Sequence, residues 1–398
     1  MKVLFWLSSF PTVSETFIRN QIVDLIDSGI DVQIFCNNKN ENVQGLEGFE
    51  KYNLLSKTID FKDILPQSNR KKIESLLKVL LNHFLTRNFW YFIKLSKLLL
   101  IERKSYSFSS FFILNFILAQ KINVIHCHFG PIGKDAVFVK KIDVPVKLIC
   151  TFHGYDIRLG IKKGKTFYSD LFHYADSILS ISNYNREKLL SFGLNPKKIE
   201  DLNNGVSVSS KTKHKENKNG EVRIISVGRL VEEKGYDLAL SAISGFAKKY
   251  PEIKFHYDIV GAGHLEKILK QKSEDLNIES LITFHLSQNS EFVRRKIQNS
   301  DFLFLTSLQE AIPTVILEAQ ACELPVLATN VGSIKDLVID NKTGFLSDVS
   351  EEAVIESLEK MFRNKDKWDI YGSNAKDNII LNYDKNKLTQ KLIKIYQA

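Results

Sequence analysis

The chain has 398 residues, long enough for two ordinary domains that each bury a core. Lys and Arg number 55 against 46 Asp and Glu, a net charge of +9, with much of the excess between residues 62 and 104. Basic charge without a recognisable nucleic-acid module excludes a nucleic-acid partner from the expectation. No apolar run approaches the roughly 20 residues of a spanning helix.

The opening MKVLFWLSSFP reads as a strand at Val3–Leu7. A secretory leader is not expected, because the apolar run is brief, Pro11 and Glu15 follow at once, and no small-residue cleavage site appears. An amphipathic helix through Ile18, Ile22, Leu25 and Ile26 leads to a strand at Asp31–Phe35, a β-α-β opening. Ser14, ahead of Glu15 and Thr16, suits a helix cap.

Farther on, Ile73, Leu76, Leu77, Leu80, Leu81 and Phe84 share one helical face, with Lys71, Lys72, Lys78 and Asn82 mostly off it. Phe89, Trp90, Tyr91 and Phe92 follow. Two readings stay open: an interfacial membrane anchor, or a domain helix packed by its stripe.

Val124–Phe129 and Val146–Phe152 read as further parallel strands. His126 and His128 share a face, but two imidazoles without a Cys or carboxylate at ligand spacing are too few for a metal, so buried or cleft-lining histidines are expected. The second strand runs into His153-Gly154-Tyr155-Asp156, and an imidazole there can donate a hydrogen bond or stabilise charge. The cysteines, at 36, 127, 150 and 322, form no CxxC pair, which suits a cytosolic chain. Polar Ser207–Gly220 is the linker candidate.

Val222–Val227 is the next strand, followed by ValGlyArgLeuValGluGluLysGly at 227–235. A strand then ends in the glycines of 257–263, ahead of a helical pattern through Leu265, Ile268 and Leu269. Phe302–Thr306 is short, apolar and aromatic, hence a buried strand, with Ser307–Ile312 the loop at its carboxyl end. Pro313 suits the first position of a helix, where the N–H groups of Thr314, Val315 and Ile316 would face an anion. Glu310 in the loop and Glu318 in the helix can approach one ligand from different sides. From about 351 onward the helices are amphipathic. Strands alternate with helical patterns in both halves, so the expected fold is α/β, two doubly wound Rossmann-like domains facing across a cleft.

The segment from Glu310 to Thr329 resembles the carboxylate signature of the retaining glycosyltransferases of family four: a Glu, a small residue, a Pro, and a second Glu after seven intervening residues. Ala311 and Glu323 stand where that family usually has glycines. Phe10-Pro11 and Ser14-Glu15-Thr16-Phe17 resemble the subgroup that builds exopolysaccharide and colanic-acid-like repeat units. Nearly the whole chain takes part in the resemblance, most specifically 10–17, 151–156, 227–235 and 302–332.

The resemblance implies a GT-B fold: an acceptor-binding domain at 1–206, a linker at 207–220, a nucleotide-sugar-binding domain at 221–375, and a terminal helix at 376–398 crossing back to the first domain. It implies retaining transfer of a hexose from a nucleotide diphosphate sugar to a lipid-linked oligosaccharide, for capsule, exopolysaccharide or O-antigen. No metal or other cofactor is expected, and the absence of any Asp-x-Asp agrees. Work in the cytoplasm is implied, with peripheral contact to the inner face of the plasma membrane through 65–104.

By the same resemblance, Glu310 and His153 contact the transferred sugar, with His153 donating a hydrogen bond. Arg229 and Lys234 clamp the diphosphate, and Glu318 takes the ribose hydroxyls. Gly228, Gly261 and Gly263, with Ala311, Ile312, Pro313, Thr314 and Val315, supply donor-site backbone. Ser14, Glu15, Thr16 and Asp156 are candidates for the acceptor or a phosphate. A sugar-nucleotide epimerase, a phosphorylase and an inactive carbohydrate-binding protein on the same scaffold remain alternatives, although intact Arg229, Lys234, Glu310 and Glu318 argue against decay.

Overall fold

Two all-parallel sheets account for the alternation of strands and helices in a computed structural model, which describes residues 1–12, 15–41, 49–66, 68–102, 106–208 and 220–398. The chain divides into two units. One comprises Met1–Ile181, Asn185–Leu202 and Thr389–Ala398, and the other Ser182–Tyr184 and Asn203–Leu388.

The strands of the first unit are β1 (Lys2–Phe10), β2 (Asp31–Lys39), β3 (Thr58–Asp60), β4 (Val124–His128), β5 (Lys147–Phe152), β6 (Ser177–Ser180) and β7 (Ile199–Asp201), in the order β3-β2-β1-β4-β5-β6-β7. Covered on both faces, β1 and β4 are buried along most of their length. The helix Thr16–Asp27 returns the chain from β1 to β2 by burying Ile18, Ile22 and Leu25, each worth about 2 kcal/mol.

In the second unit β8 (Val222–Val227), β9 (Phe255–Val260), β10 (Ile282–His285), β11 (Phe302–Leu305), β12 (Val326–Thr329) and β13 (Gly344–Ser347) take the order β10-β9-β8-β11-β12-β13. On one face of this sheet Phe255, Tyr257, Phe302 and Phe304 share a core with Phe246 and Trp368 from the helices and with many aliphatic side chains.

Several boundaries differ from the sequence reading. The units divide at Leu202 and Leu388 rather than at 206 and 375. Val206 belongs to the second unit because its N–H donates to the carbonyl of Tyr383 at 2.9 Å and its carbonyl accepts from Lys385 at 3.2 Å. Most of the linker candidate, 209–219, and Ser14 lie outside the described residues. The helix after β9 spans Glu266–Asp275 and buries Leu269, but Ile268 is exposed. The chain's final helix, Lys385–Gln397, buries Leu392, Ile395 and Tyr396, and from Thr389 it belongs to the first unit. All four cysteines are free and buried.

The basic segment forms the helices Asn69–His83 and Phe89–Ile101. Their apolar residues are divided between inside and outside. Val79, Phe92 and Leu95 are buried, whereas Ile73, Leu77, Leu81, Phe84, Leu85, Trp90, Leu100 and Ile101 are exposed, Leu85 at 93%. A helix packed by its whole stripe would have buried Ile73 and Leu77. No helix among the described residues is long and apolar enough to cross a membrane.

Candidate active site

Each sheet reverses its winding once. In the second unit the chain runs outward from β8 through β9 to β10, then returns to the far side of β8 as β11. Loops that leave β8 and β11 in opposite directions open a crevice at the carboxyl ends of the strands, where ligands bind in such sheets.

The loop after β8 carries Gly228, Arg229 and Lys234, and the loop after β11 carries Ser307 and Glu310. Lys234 Nζ lies 2.5 Å from Glu310 Oε1, and Ser307 Oγ donates to the same oxygen at 2.7 Å. The carboxylate is 9% exposed and the ammonium 17%. The loops are also joined by backbone: the N–H of Leu308 donates to the carbonyl of Glu233 at 2.8 Å. Arg229, by contrast, is exposed, and its guanidinium has no partner among the described residues.

Gly228 donates its N–H to Val260 at 3.0 Å and accepts from the Tyr236 hydroxyl at 3.3 Å, which fixes the start of the first loop. The loop after β9, with Gly261 and Gly263, packs beneath it. Gly261 sits at φ +149°, and a Cβ there would fall 1.9 Å from the carbonyl oxygen of Gly228. Only glycine fits so close an approach.

Ala311, Ile312 and the buried Pro313 continue from Glu310 into the helix Thr314–Ala321. Pro313 is the residue before that helix rather than its first, and the N–H of Ile316 is spent on the carbonyl of Pro313 at 3.0 Å. Only Thr314 and Val315 keep N–H groups for a ligand, one fewer than expected. Glu318 is half-buried with no partner among the described residues, and loss of solvent pushes its carboxyl up to about 7. Glu323, at the position where the family usually has glycine, takes a left-handed φ of 60°. It forms an ion pair with Lys376 at 2.8 Å.

In the first unit the winding reverses between β1 and β4. Glu15 precedes the helix that Thr16 begins, and its carboxylate accepts from the Thr12 hydroxyl at 2.8 Å, while burial raises its pKa. His153, at the end of β5, is 5% exposed and packs between the rings of Phe17 and Phe129, at 4.7 and 4.8 Å. Phe129 follows β4 at φ +74°, a conformation that a bulky residue rarely adopts and that is concentrated at functional sites. Burial lowers the His153 pKa to about 3, so the ring is neutral at pH 7.

Asp156, a candidate for the acceptor or a phosphate, is turned to the backbone. It is fully buried, and its carboxylate accepts the backbone N–H groups of His153 at 2.7 Å, Gly130 at 2.9 Å and Ile157 at 3.2 Å. Three residues after His153, it caps the helix Gly154–Lys163 and fastens it to the loop after β4. Against these bonds, desolvation holds its pKa up at about 7. His126 is likewise saturated: Nδ1 meets the Tyr396 hydroxyl at 2.6 Å and Nε2 the Thr151 hydroxyl at 2.7 Å.

Sequence reasoning passed over Ser307, Phe129 and Gln21, whose amide meets His128 at 3.1 Å. Ser307 stands three residues before Glu310, a spacing that could have suggested a hydroxyl donor to its carboxylate. Nothing in the pattern around Gln21 or Phe129 marks them.

The model of glycosyltransferase family 4 matches residues 14–210, and that of the glycosyl transferases group 1 matches 208–378. A putative colanic acid biosynthesis glycosyltransferase, WcaL of Salmonella typhimurium, is 29% identical over the whole of both chains. The amylovoran biosynthesis glycosyltransferase AmsK of Erwinia amylovora is 28% identical over 90% of this chain and 89% of its own. Anabaena Alr3699/HepE, solved in complex with UDP and glucose, superposes with a TM-score of 0.69 at 14% identity, covering 100% of this chain and 99% of that one. With two consecutive glycosyltransferase models spanning 14–378 and two doubly wound units of the GT-B kind, the chain belongs to the family-four glycosyltransferases.

Proposed function

We propose that the protein transfers a hexose, with retention, from a nucleotide diphosphate sugar to a lipid-linked oligosaccharide in the synthesis of a surface polysaccharide. Relatives named for colanic acid and amylovoran biosynthesis support the polysaccharide product, and a neighbour that holds UDP and glucose supports the donor class. The observation that carries the reading is the crevice between β8 and β11, where the unpaired Arg229, the Lys234–Glu310 pair and the carboxyl of Glu318 come from the two loops and the helix that frame it.

In this scheme the bond from the sugar's anomeric carbon to the diphosphate breaks and the electron pair leaves with the diphosphate. Arg229 and Lys234 stabilise that growing charge, so the step needs no metal. The acceptor oxygen bonds to the same face of the anomeric carbon and its proton passes to the departing diphosphate. Glu310 holds the sugar once Lys234 turns to phosphate, and Glu318 accepts from the ribose hydroxyls. Retention itself is carried by the family resemblance. Glu15 and Thr16, which follow β1 at the winding reversal of the first unit, and His153, which follows β5, serve the sugar and acceptor side.

The exposed apolar residues of 73–101, interleaved with Lys71, Lys78, Arg87 and Lys97, support the reading that the enzyme works against an anionic membrane surface, at the cytoplasmic face beside its acceptor.

The test is thermal-shift binding of UDP-, GDP-, ADP- and TDP-sugars in EDTA, with Glu318→Ala alongside. Stabilisation by one nucleotide class that is lost in the variant supports the reading. If no nucleotide sugar stabilises the protein, the donor site is refuted and an inactive binding protein takes its place.

A further inference from the structure

His128 is buried beneath His153, and the transfer scheme gives it no task. Its Nδ1 lies 3.1 Å from His153 Nε2, and its own Nε2 lies 3.1 Å from Gln21 Oε1. A neutral imidazole has one N–H and one bare nitrogen, so two facing imidazole nitrogens can bond only if one holds a proton and the other does not. Burial keeps both rings uncharged.

The direction of the bond is therefore set at the Gln21 end. An amide oxygen only accepts, so His128 Nε2 must carry its proton. His128 Nδ1 is then bare and accepts from His153 Nε2–H, which leaves His153 Nδ1 without a proton. The rings are held in place for this: those of His128 and His153 lie edge to edge, 15° from parallel with centroids 5.3 Å apart, Phe5 packs 5.5 Å from His128, and Phe17 and Phe129 lie beside His153. His126 does not compete, because both its nitrogens are taken by Tyr396 and Thr151.

We propose that Gln21 is a positioning residue which, through His128, fixes His153 as the Nε2–H tautomer, so that His153 Nδ1, beside the first turn of the helix Gly154–Lys163, accepts a hydrogen bond and cannot donate one. This reverses the donating role expected of His153 from the sequence: the ring would receive a sugar hydroxyl's proton-side contact. The tautomer rests on the Gln21 contact and on two neutral rings, and only its use in transfer rests on the glycosyltransferase reading.

Nitrogen-15 NMR of histidine-labelled protein distinguishes protonated from bare ring nitrogens, with His128→Asn and His153→Asn to assign signals. The wild type should show His153 protonated at Nε2 and bare at Nδ1. Gln21→Leu, which removes the selecting oxygen, should give a mixture, and Gln21→Lys, which only donates, should move the His153 proton to Nδ1. Reversal should lower kcat/KM for the nucleotide sugar about tenfold, the loss expected when one hydrogen bond becomes a clash of donors. A wild-type His153 protonated at Nδ1, or a tautomer indifferent to residue 21, overturns the relay. Tautomers that shift as expected with transfer unchanged overturn the positioning role while leaving the donor site standing. A wild type that binds no nucleotide sugar but shows the expected tautomers refutes the enzyme reading and upholds the relay.

Discussion

Lys234 and Glu310 are bound to each other at 2.5 Å, although the family signature assigns one to the diphosphate and the other to the sugar. On the proposed scheme, donor binding exchanges this pair for two separate contacts. Because both groups are largely withdrawn from solvent, removing both should cost less than the sum of removing each. Lys234→Met and Glu310→Gln are each expected to lose roughly 2–4 kcal/mol, with the double variant recovering about 1–3 kcal/mol of the summed loss. Urea denaturation of the four proteins checks this, and additive losses would show that the pair is not coupled.

Glu318 gives a pH dependence of defined sign. Its carboxyl is raised from 4.5 to about 7 by desolvation. Between those values the unfolded chain has released the proton that the folded chain still holds, so stability falls as pH rises through the window and the penalty is complete above pH 7. Glu318→Gln should then gain on the wild type by on the order of 1–3 kcal/mol more at pH 8 than at pH 5. The same advantage at both pH values would contradict the shift.

Gly332 holds the Glu310 loop from the side of β12. It lies at φ +58°, and a Cβ there would stand 1.8 Å from the carbonyl oxygen of Glu310. Gly29, at φ +80°, has nothing within 4 Å of its Cβ position. Gly29→Ala should cost only the backbone term, about 1–2 kcal/mol. Gly332→Ala should cost more and should also weaken nucleotide-sugar binding at least tenfold, measured by calorimetry. Equal losses in the two variants, with binding intact, would remove the steric argument.

For the basic helices the expected result is co-sedimentation with vesicles rich in phosphatidylglycerol, reduced by Leu81→Asp and Leu85→Asp and by high salt. Leu81 is 72% exposed, so these changes leave the fold intact and alter only the surface offered to lipid. Binding that survives both substitutions would place the membrane contact elsewhere.

The donor-side loops were legible because their signals are local. A strand, a turn and a helix start within ten residues put Glu310 and Pro313 where they are, and β8 with Arg229 and Lys234 reads the same way. Their pairing was not legible, since the hydrogen-bonding of β8 to β11 depends on which side of β8 the chain returns to. The bonding of Asp156 was not read from the sequence either, although it stands at the third position of a helix, where a carboxylate reaches back to the capping N–H. Ile268 fitted the helical spacing and yet faces solvent, because the amphipathic pattern had one apolar residue more than the buried face could take. Gln21 was invisible: its importance comes from a strand more than a hundred residues away.

The final helix bears on the order in which the protein matures. The Tyr396 hydroxyl completes the bonding of buried His126, and the Lys147 ammonium donates to the carbonyl of Ile395 at 2.9 Å. A ribosome delivers residues 389–398 only after the whole second unit has left it, so the first unit, although synthesised first, is completed last. Until then His126 lacks its tyrosine, and the sheet that carries the histidine relay waits with one flank uncovered.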